Sequence, residues 1–143
     1  MNKADKALSC FEEGFSCSQA VFSTYAVEIG MDRDVALKIA QAFGGGMAQM
    51  GEMCGAVTGA FMVIGLKYGR TRADDDKAKI KTYRLVKEFT EKFKARNGTI
   101  ICRELLGCDI GTRDGFQLAQ ETKLFSTVCP GFVQDAAGIV EEI

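Results

Sequence analysis

GGGMAQMGEMCGAVTGAFMVIG is the sequence of residues 44–65, and this stretch decides the fold. It contains no Lys, Arg or Asp, and its one charged residue is Glu52. Only a buried helix is apolar on most of its sides, so the stretch predicts a central core helix from about Met50 to Tyr68. Glycines recur four residues apart, at positions 51, 55 and 59, and on a helix they share one side.

The glycine side of this helix is expected to contact a close neighbour. Glycine costs roughly 1 kcal/mol of helix propensity relative to alanine, so Gly55 and Gly59 need a compensating reason. Without a side chain, they allow another backbone or a bound ligand to come close. We therefore predict that Gly55 and Gly59 form a packing or cofactor-binding surface. The preceding glycine run, residues 44–46, predicts a hinge between two helices, in preference to a cradle for an anion.

The rest of the chain is also helical in its pattern. No segment alternates with a period of two, and Pro130 is the only proline. We therefore predict an all-α fold, a single compact domain over residues 1–143 with about seven helices around the buried glycine-striped helix. Besides the central helix, the predicted helices cover residues 2–13, 17–28, 74–96, 100–106, 114–125 and 129–140. One more starts at Asp32 or Asp34 and has Val35, Ile39 and Phe43 on one side.

Net charge and the distribution of apolar residues argue against nucleic-acid binding and membrane insertion. The net charge is −1, which gives no bulk attraction to nucleic acid or to an anionic membrane. A basic stretch at residues 67–96 favours a solvated helix face over an anionic partner, because its charges are mixed. Residues 1–13 carry charges and no apolar run, and the apolar segment 53–66 is shorter than the ~20 residues of a membrane span. A cytoplasmic protein without membrane insertion is expected.

The absence of histidine excludes Ser-His and Cys-His catalysis and every His-ligated metal site. Six cysteines remain as candidates for chemistry. Cys17 and Cys129 lie at predicted helix N-termini, and Cys54 and Cys102 lie in or near a first turn. Unpaired backbone N–H groups at such positions favour a thiolate, which is both the nucleophile and the metal ligand. Two cysteines without this placement, at positions 10 and 108, are expected to be inert.

The pieces around these cysteines resemble one family. They are CSQAV at residues 17–21, CGAVTG at 54–59 after its glycines, Cys102 shortly before ELLG at 104–107, and Cys129 near the last helix. Over about residues 10–140 the chain resembles the C_GCAxxG_C_C family, small proteins described as redox-active. The resemblance implies a helical domain whose family cysteines are Cys17, Cys54, Cys102 and Cys129. The family description itself rests on cysteines, so it implies neither a substrate nor a particular reaction.

Three functions fit these residues. In the first, the protein is a thiol–disulfide redox protein in which Cys54 is the best-placed thiolate. In the second, Cys17, Cys54, Cys102 and Cys129 bind zinc or an iron–sulfur cluster as four thiolates. In the third, the cysteines are buried and the protein is a helical interaction domain. Both chemical functions require the four helix starts to converge. The sequence identifies neither a redox partner or small-molecule substrate nor the oligomeric state, and it leaves homo-oligomerisation open.

Overall fold

The computed structural model describes residues 1–143, and it is helical throughout. There is no strand, and the only β-type pairing is an isolated bridge between Met53 and Ile101. The all-α prediction is therefore confirmed. The helices are α1 (Lys3–Glu12), α2 (Cys17–Glu28), α3 (Arg33–Gln41), α4 (Gly55–Tyr68), α5 (Asp76–Asn97), α6 (Cys102–Leu106), α7 (Arg113–Glu121), α8 (Leu124–Thr127) and α9 (Cys129–Glu142).

Local sequence explains most of the helix boundaries. The side chain of Ser16 accepts a hydrogen bond from the backbone of Gln19, and the Gln19 side chain accepts one from the backbone of Ser16. This reciprocal capping box fixes the start of α2. At the C-terminal ends of α5 and α6, Gly98 and Gly107 adopt the left-handed conformation. Both stops were predicted from the sequence.

The glycine-striped helix α4 is the centre of the fold. Val57, Val63 and Ile64 on α4 are almost completely buried. Helices α2, α5 and α9 pack around it, and α5 contributes the fully buried Phe89 and Phe93. The predicted buried central helix is therefore confirmed. No helix combines the length and the hydropathy that crossing a membrane would require.

Three predictions about the helices need correction. The segment 114–125 is two helices, because Lys123 adopts a left-handed conformation between α7 and α8. Helix α4 begins at Gly55, five residues later than predicted, so Gly51 is not part of its glycine side. The third helix ends at Gln41, so Phe43 is not part of it, and its apolar side chains Val35 and Ile39 are exposed.

The orientation of α3 has an identifiable cause. The Ser18 hydroxyl donates a hydrogen bond to the backbone oxygen of Ala40 at 2.8 Å. The Gln19 side-chain amide donates one to the backbone oxygen of Leu37 at 3.0 Å. These buried bonds from α2 turn the side of α3 with the small residues Ala36 and Ala40 inward. The hydrophobic pattern of α3 alone did not indicate this side.

The connection between α3 and α4 contains the most unusual backbone of the chain. Residues 45–49, which we call the left-handed segment, all have positive φ angles between 49° and 69°. A left-handed conformation costs roughly 1–2 kcal/mol for each residue with a side chain, here Met47, Ala48 and Gln49. Long-range backbone bonds offset part of this cost, such as the one from Ala48 N to the oxygen of Ala42 at 2.8 Å. Strain of this kind is concentrated at functional sites.

Candidate functional site

Two of the predicted cysteines meet where α2 and α4 begin. Cys17 is the first residue of α2, and Cys54 is the N-cap of α4. Their thiol groups are close enough for each to shift the pKa of the other. We call Cys17 and Cys54 the thiol pair.

The glycines of α4 make this meeting possible. A Cβ atom at Gly55 would collide with the Cys17 sulfur and would lie 3.1 Å from the backbone nitrogen of Ser18. A Cβ atom at Gly59 would lie 2.9 Å from the backbone oxygen of Ser18. The predicted close approach of another backbone is thus confirmed, and that backbone is the first turn of α2. Gly59 lies against this backbone and the Val21 side chain, and it is not among the residues that line the cavity described below.

The surroundings of Cys17 stabilise a thiolate. The hydrogen bond from the Cys54 thiol is the largest cause that lowers the Cys17 pKa, which falls to about 7 although burial acts in the opposite direction. The backbone N–H groups of Gly45, Ser18 and Ala56 lower the pKa further. Ser18 and Ala56 are the second residues of α2 and α4, where N–H groups have no acceptor within the helix. Three separate segments therefore direct donors at one sulfur.

The third of these segments is the left-handed segment. Its first residue, Gly45, supplies the N–H group that interacts with Cys17. The next residue, Gly46, lies against Cys102, because a Cβ atom at Gly46 would be 2.7 Å from the Cβ of Cys102. The glycine run does separate two helices, as predicted. Its backbone N–H at Gly45 also favours the thiolate form of Cys17.

Cys54 has the opposite tendency. Its pKa is raised well above the ordinary value, first by the hydrogen bond that it donates to Cys17 and then by burial. The N–H groups of Ala56 and Val57 only partly oppose these effects. We predicted from the sequence that Cys54 would carry the thiolate. The opposite directions of the two pKa shifts instead favour the thiolate at Cys17 and the proton at Cys54.

The other two family cysteines, Cys102 and Cys129, also begin helices. Cys102 is the first residue of α6 and Cys129 the first residue of α9. Burial nevertheless raises the pKa of each to about 12, and the negative charge of Cys17 adds to the effect. We call Cys102 and Cys129 the outer thiols. Their position at a helix N-terminus does not compensate for the loss of hydration.

All four family cysteines line one cavity of about 610 Å³. The thiol pair and Gly55 form part of its wall, and the outer thiols form another part. The starts of α2, α4, α6 and α9 therefore meet around one cavity. Further wall residues are mostly aromatic or aliphatic: Phe11, Leu105, Leu106, Ile110, Phe116, Phe125 and Phe132.

The remaining candidates lie elsewhere. Cys10 and Cys108 do not line the cavity; Cys10 is buried, with its sulfur 3.8 Å from the Ser23 hydroxyl. Glu52 is half exposed and forms an ion pair with Arg103 at 3.1 Å, so it is not placed to take a proton from Cys54. No group of three cysteine, aspartate or glutamate side chains is close enough together to hold a metal ion.

Sequence reasoning missed two components of the site. The N–H group of Gly45 could not be found, because its direction depends on five consecutive left-handed residues, of which only the first two are glycines. The aromatic wall was also missed. Phe125 lies four residues before Cys129 and Phe132 three residues after it, and this spacing around a helix start was a usable indication of a wall next to the thiol.

The geometry agrees with a comparison against protein families. The model of the family described as "Putative redox-active protein (C_GCAxxG_C_C)" matches residues 15–143. The chain belongs to this family. The match begins just before the thiol pair and includes all four cysteines of the cavity. Searches of curated proteins and of solved structures found no match.

Proposed function

We propose that this C_GCAxxG_C_C protein is a dithiol–disulfide redox protein in which Cys17 is the nucleophile and Cys54 the resolving thiol. The observation that carries the proposal is the meeting of Cys17 and Cys54 at the starts of α2 and α4, in the wall of one cavity. The lowered pKa of Cys17, about 7, and the raised pKa of Cys54 favour a thiolate on Cys17 beside a protonated Cys54. A thiolate beside a protonated thiol is the state from which disulfide exchange starts.

The reaction proceeds in two exchanges. The Cys17 thiolate attacks one sulfur of a substrate disulfide, forming a mixed disulfide and releasing the first half of the substrate as a thiolate. That thiolate takes the proton of Cys54. The Cys54 thiolate then attacks the Cys17 sulfur, forming the Cys17–Cys54 disulfide and releasing the second half. The protein loses two electrons, and the substrate gains them.

This mechanism needs no histidine. Once the charge on Cys17 is used in the first bond, the main cause of the raised Cys54 pKa disappears. Cys54 then keeps the favourable N–H groups of Ala56 and Val57, so its deprotonation becomes easier at the step that requires it. A cellular dithiol restores the reduced pair. The outer thiols stay protonated in the resting protein and take no part in the two exchanges. A reversible dithiol–disulfide reaction of this kind suits the reducing cytoplasm.

The test is to oxidise protein purified without air and to map its cysteines by mass spectrometry. With one equivalent of a small disulfide, we expect one new intramolecular disulfide between Cys17 and Cys54. The Cys54→Ser variant should stop at the mixed disulfide on Cys17, and Cys108→Ser is the control that should behave as the parent. Stoichiometric zinc or iron in the purified protein, with all four family thiols protected, would support the metal-binding alternative and contradict the redox proposal.

A further inference from the structure

The wall of the thiol cavity contains no acidic or basic residue. Thirteen of its twenty residues are hydrophobic, and none is Asp, Glu, Lys or Arg. Four of them are the phenylalanines 11, 116, 125 and 132, each contributed by a different helix. In a chain with 26% charged residues, this composition marks the cavity as a separate environment.

Two of the polar side chains at the wall, Ser16 and Gln41, already make hydrogen bonds within the protein. The Ser16 hydroxyl contacts Ser18 at 3.1 Å and belongs to the capping box of α2. The side-chain oxygen of Gln41 accepts a hydrogen bond from Gln19 at 3.1 Å. A carboxylate that entered the cavity would lose water and would find no cationic side chain. Burial of an unpaired charge is strongly unfavourable.

The size of the cavity indicates what fits beside the thiol pair. About 610 Å³ lies within the range of roughly 300–1,000 Å³ that small-molecule sites occupy. Gln49 and Ala48 of the left-handed segment are exposed and line the cavity, so they form part of its mouth. Cys54 is only 5% exposed, which places the resolving thiol at the inner end. A compact molecule can enter this space, whereas the folded surface of a protein disulfide cannot.

We propose that the substrate of this site is a small, uncharged, apolar organic disulfide, which the protein reduces to two thiols. The inference rests on the proposed dithiol function and adds the substrate class. The reduced thiol pair and the disulfide RSSR give the Cys17–Cys54 disulfide, RSH and RS⁻, so that charge, protons and electrons balance. The leaving thiolate is much less basic than the alkoxide that an organic hydroperoxide would release. A cavity without a cation therefore suits the disulfide better.

Two chromogenic disulfides provide the test. Dithiodipyridine is neutral at pH 7, and dithiobis(nitrobenzoate) carries a carboxylate on each ring. Each rate with the folded, reduced protein is divided by the rate of the same probe with the chain unfolded in urea, which removes differences in intrinsic reactivity. We expect the folded protein to prefer the neutral probe by about tenfold, because the anion has to give up water at an uncharged wall. A ratio near one would overturn the substrate class.

Charges introduced at the mouth give a matched series. Gln49→Lys should lower the preference for the neutral probe, and Gln49→Glu should raise it, because each places one charge beside the entrance. Gln117→Lys adds the same charge on an exposed position of α7 outside the cavity and should leave the preference unchanged. If the parent protein and the three variants all showed the same preference for the neutral probe, the substrate could not be entering through this cavity. Far-UV dichroism verifies that the variants fold.

The same experiment separates failure of the substrate class from failure of the function. A working dithiol releases two coloured thiols per chain and retains no probe, whichever probe is faster. Two equivalents without selectivity would overturn the substrate class and leave the dithiol function standing. Release of one equivalent, with the probe retained on Cys17 and Cys54 still reduced, would overturn both.

Discussion

Cys17 and the outer thiols begin with the same advantage at a helix start, but their pKa values shift in opposite directions. Cys17, Cys102 and Cys129 are each the first residue of a helix, and all three line one cavity. Only the Cys17 pKa is lowered, whereas those of the outer thiols rise to about 12. The difference lies in the donors around the sulfur. Cys17 has a neighbouring thiol and three N–H groups from separate segments, while burial is the dominant influence on the outer thiols.

This comparison shows that a helix N-terminus alone does not make a reactive cysteine. The partial charge of the helix end is worth up to about 2 kcal/mol in favourable geometry, and desolvation of a thiolate can exceed it. Cys17 overcomes burial because α4 and the left-handed segment bring additional donors. The glycine at position 55 is what allows α4 to approach that closely.

The largest expected effect comes from removing the nucleophile. Cys17→Ser should lower the rate of alkylation and of disulfide exchange at pH 7 by at least about 100-fold, because the remaining cavity thiols are protonated. Cys129→Ser should leave the fast reaction in place, although both cysteines begin a helix on the same cavity. Mass-spectrometric mapping of alkylation rates measures both variants. If Cys129→Ser abolished the fast reaction instead, the reactive thiolate would belong to the outer thiols and not to Cys17.

The second prediction concerns the glycine that admits the Cys17 sulfur. Gly55→Ala should destabilise the protein by about 2–4 kcal/mol, because the new Cβ would collide with that sulfur and lie 3.1 Å from the backbone oxygen of Phe43. Gly65→Ala is the matched control on the same helix, with no atom within 4 Å of the added Cβ. It should stabilise by about 0.5–1 kcal/mol. Urea unfolding measures both changes.

Reactivity provides a second readout for this pair of variants. Gly55→Ala should also slow the alkylation of Cys17, because the sulfur has to move away from the N–H groups of Ser18 and Ala56. Gly65→Ala should not change the alkylation rate. Equal unfolding midpoints and equal reactivities for both variants would show that close helix contact is not what positions the sulfur.

The third prediction separates the hydrogen bond of Cys54 from its role as resolving thiol. Cys54→Ala removes the largest cause of the lowered Cys17 pKa, so the pH midpoint of Cys17 alkylation should shift upward. At pH 7 the rate should fall several-fold. Cys54→Ser keeps a donor at this position and should shift the midpoint less. An unchanged midpoint in Cys54→Ala would assign the low pKa to the backbone N–H groups alone.

The sequence predicted some of these features and not others, for physical reasons. Apolar periodicity and glycine spacing are local properties, so the central helix and its close contact were accessible. The stops at Gly98 and Gly107 were accessible too, because a left-handed glycine ends a helix on its own. The choice of Cys17 over Cys54 was not accessible. It depends on which sulfur receives the N–H group of Gly45, and that direction is set by the fold of residues 45–49.

The smallest expected effect is in the pH dependence of stability. Here too, Cys17 and the other cavity thiols are expected to act in opposite directions. In the unfolded chain a cysteine titrates near pH 8.5. The Cys17 pKa of about 7 lies below this value, so between about pH 7 and 8.5 the unfolded state binds more protons. Stability should therefore rise over this range, and the contribution of Cys17 is lost as the pH falls through 7.

The raised pKa values of Cys54 and the outer thiols act in the opposite direction at higher pH. Their contribution is complete below about pH 8.5 and is lost as the pH rises toward 12, because the unfolded chain ionises first. The urea midpoint of the reduced protein should thus pass through a maximum at roughly pH 8–9. In Cys17→Ser the rise from pH 7 should disappear while the fall above pH 9 remains. A midpoint that declined steadily from pH 7 in the parent protein would show that the thiol pair holds no stabilised thiolate, and the distinction between the two pairs would fail.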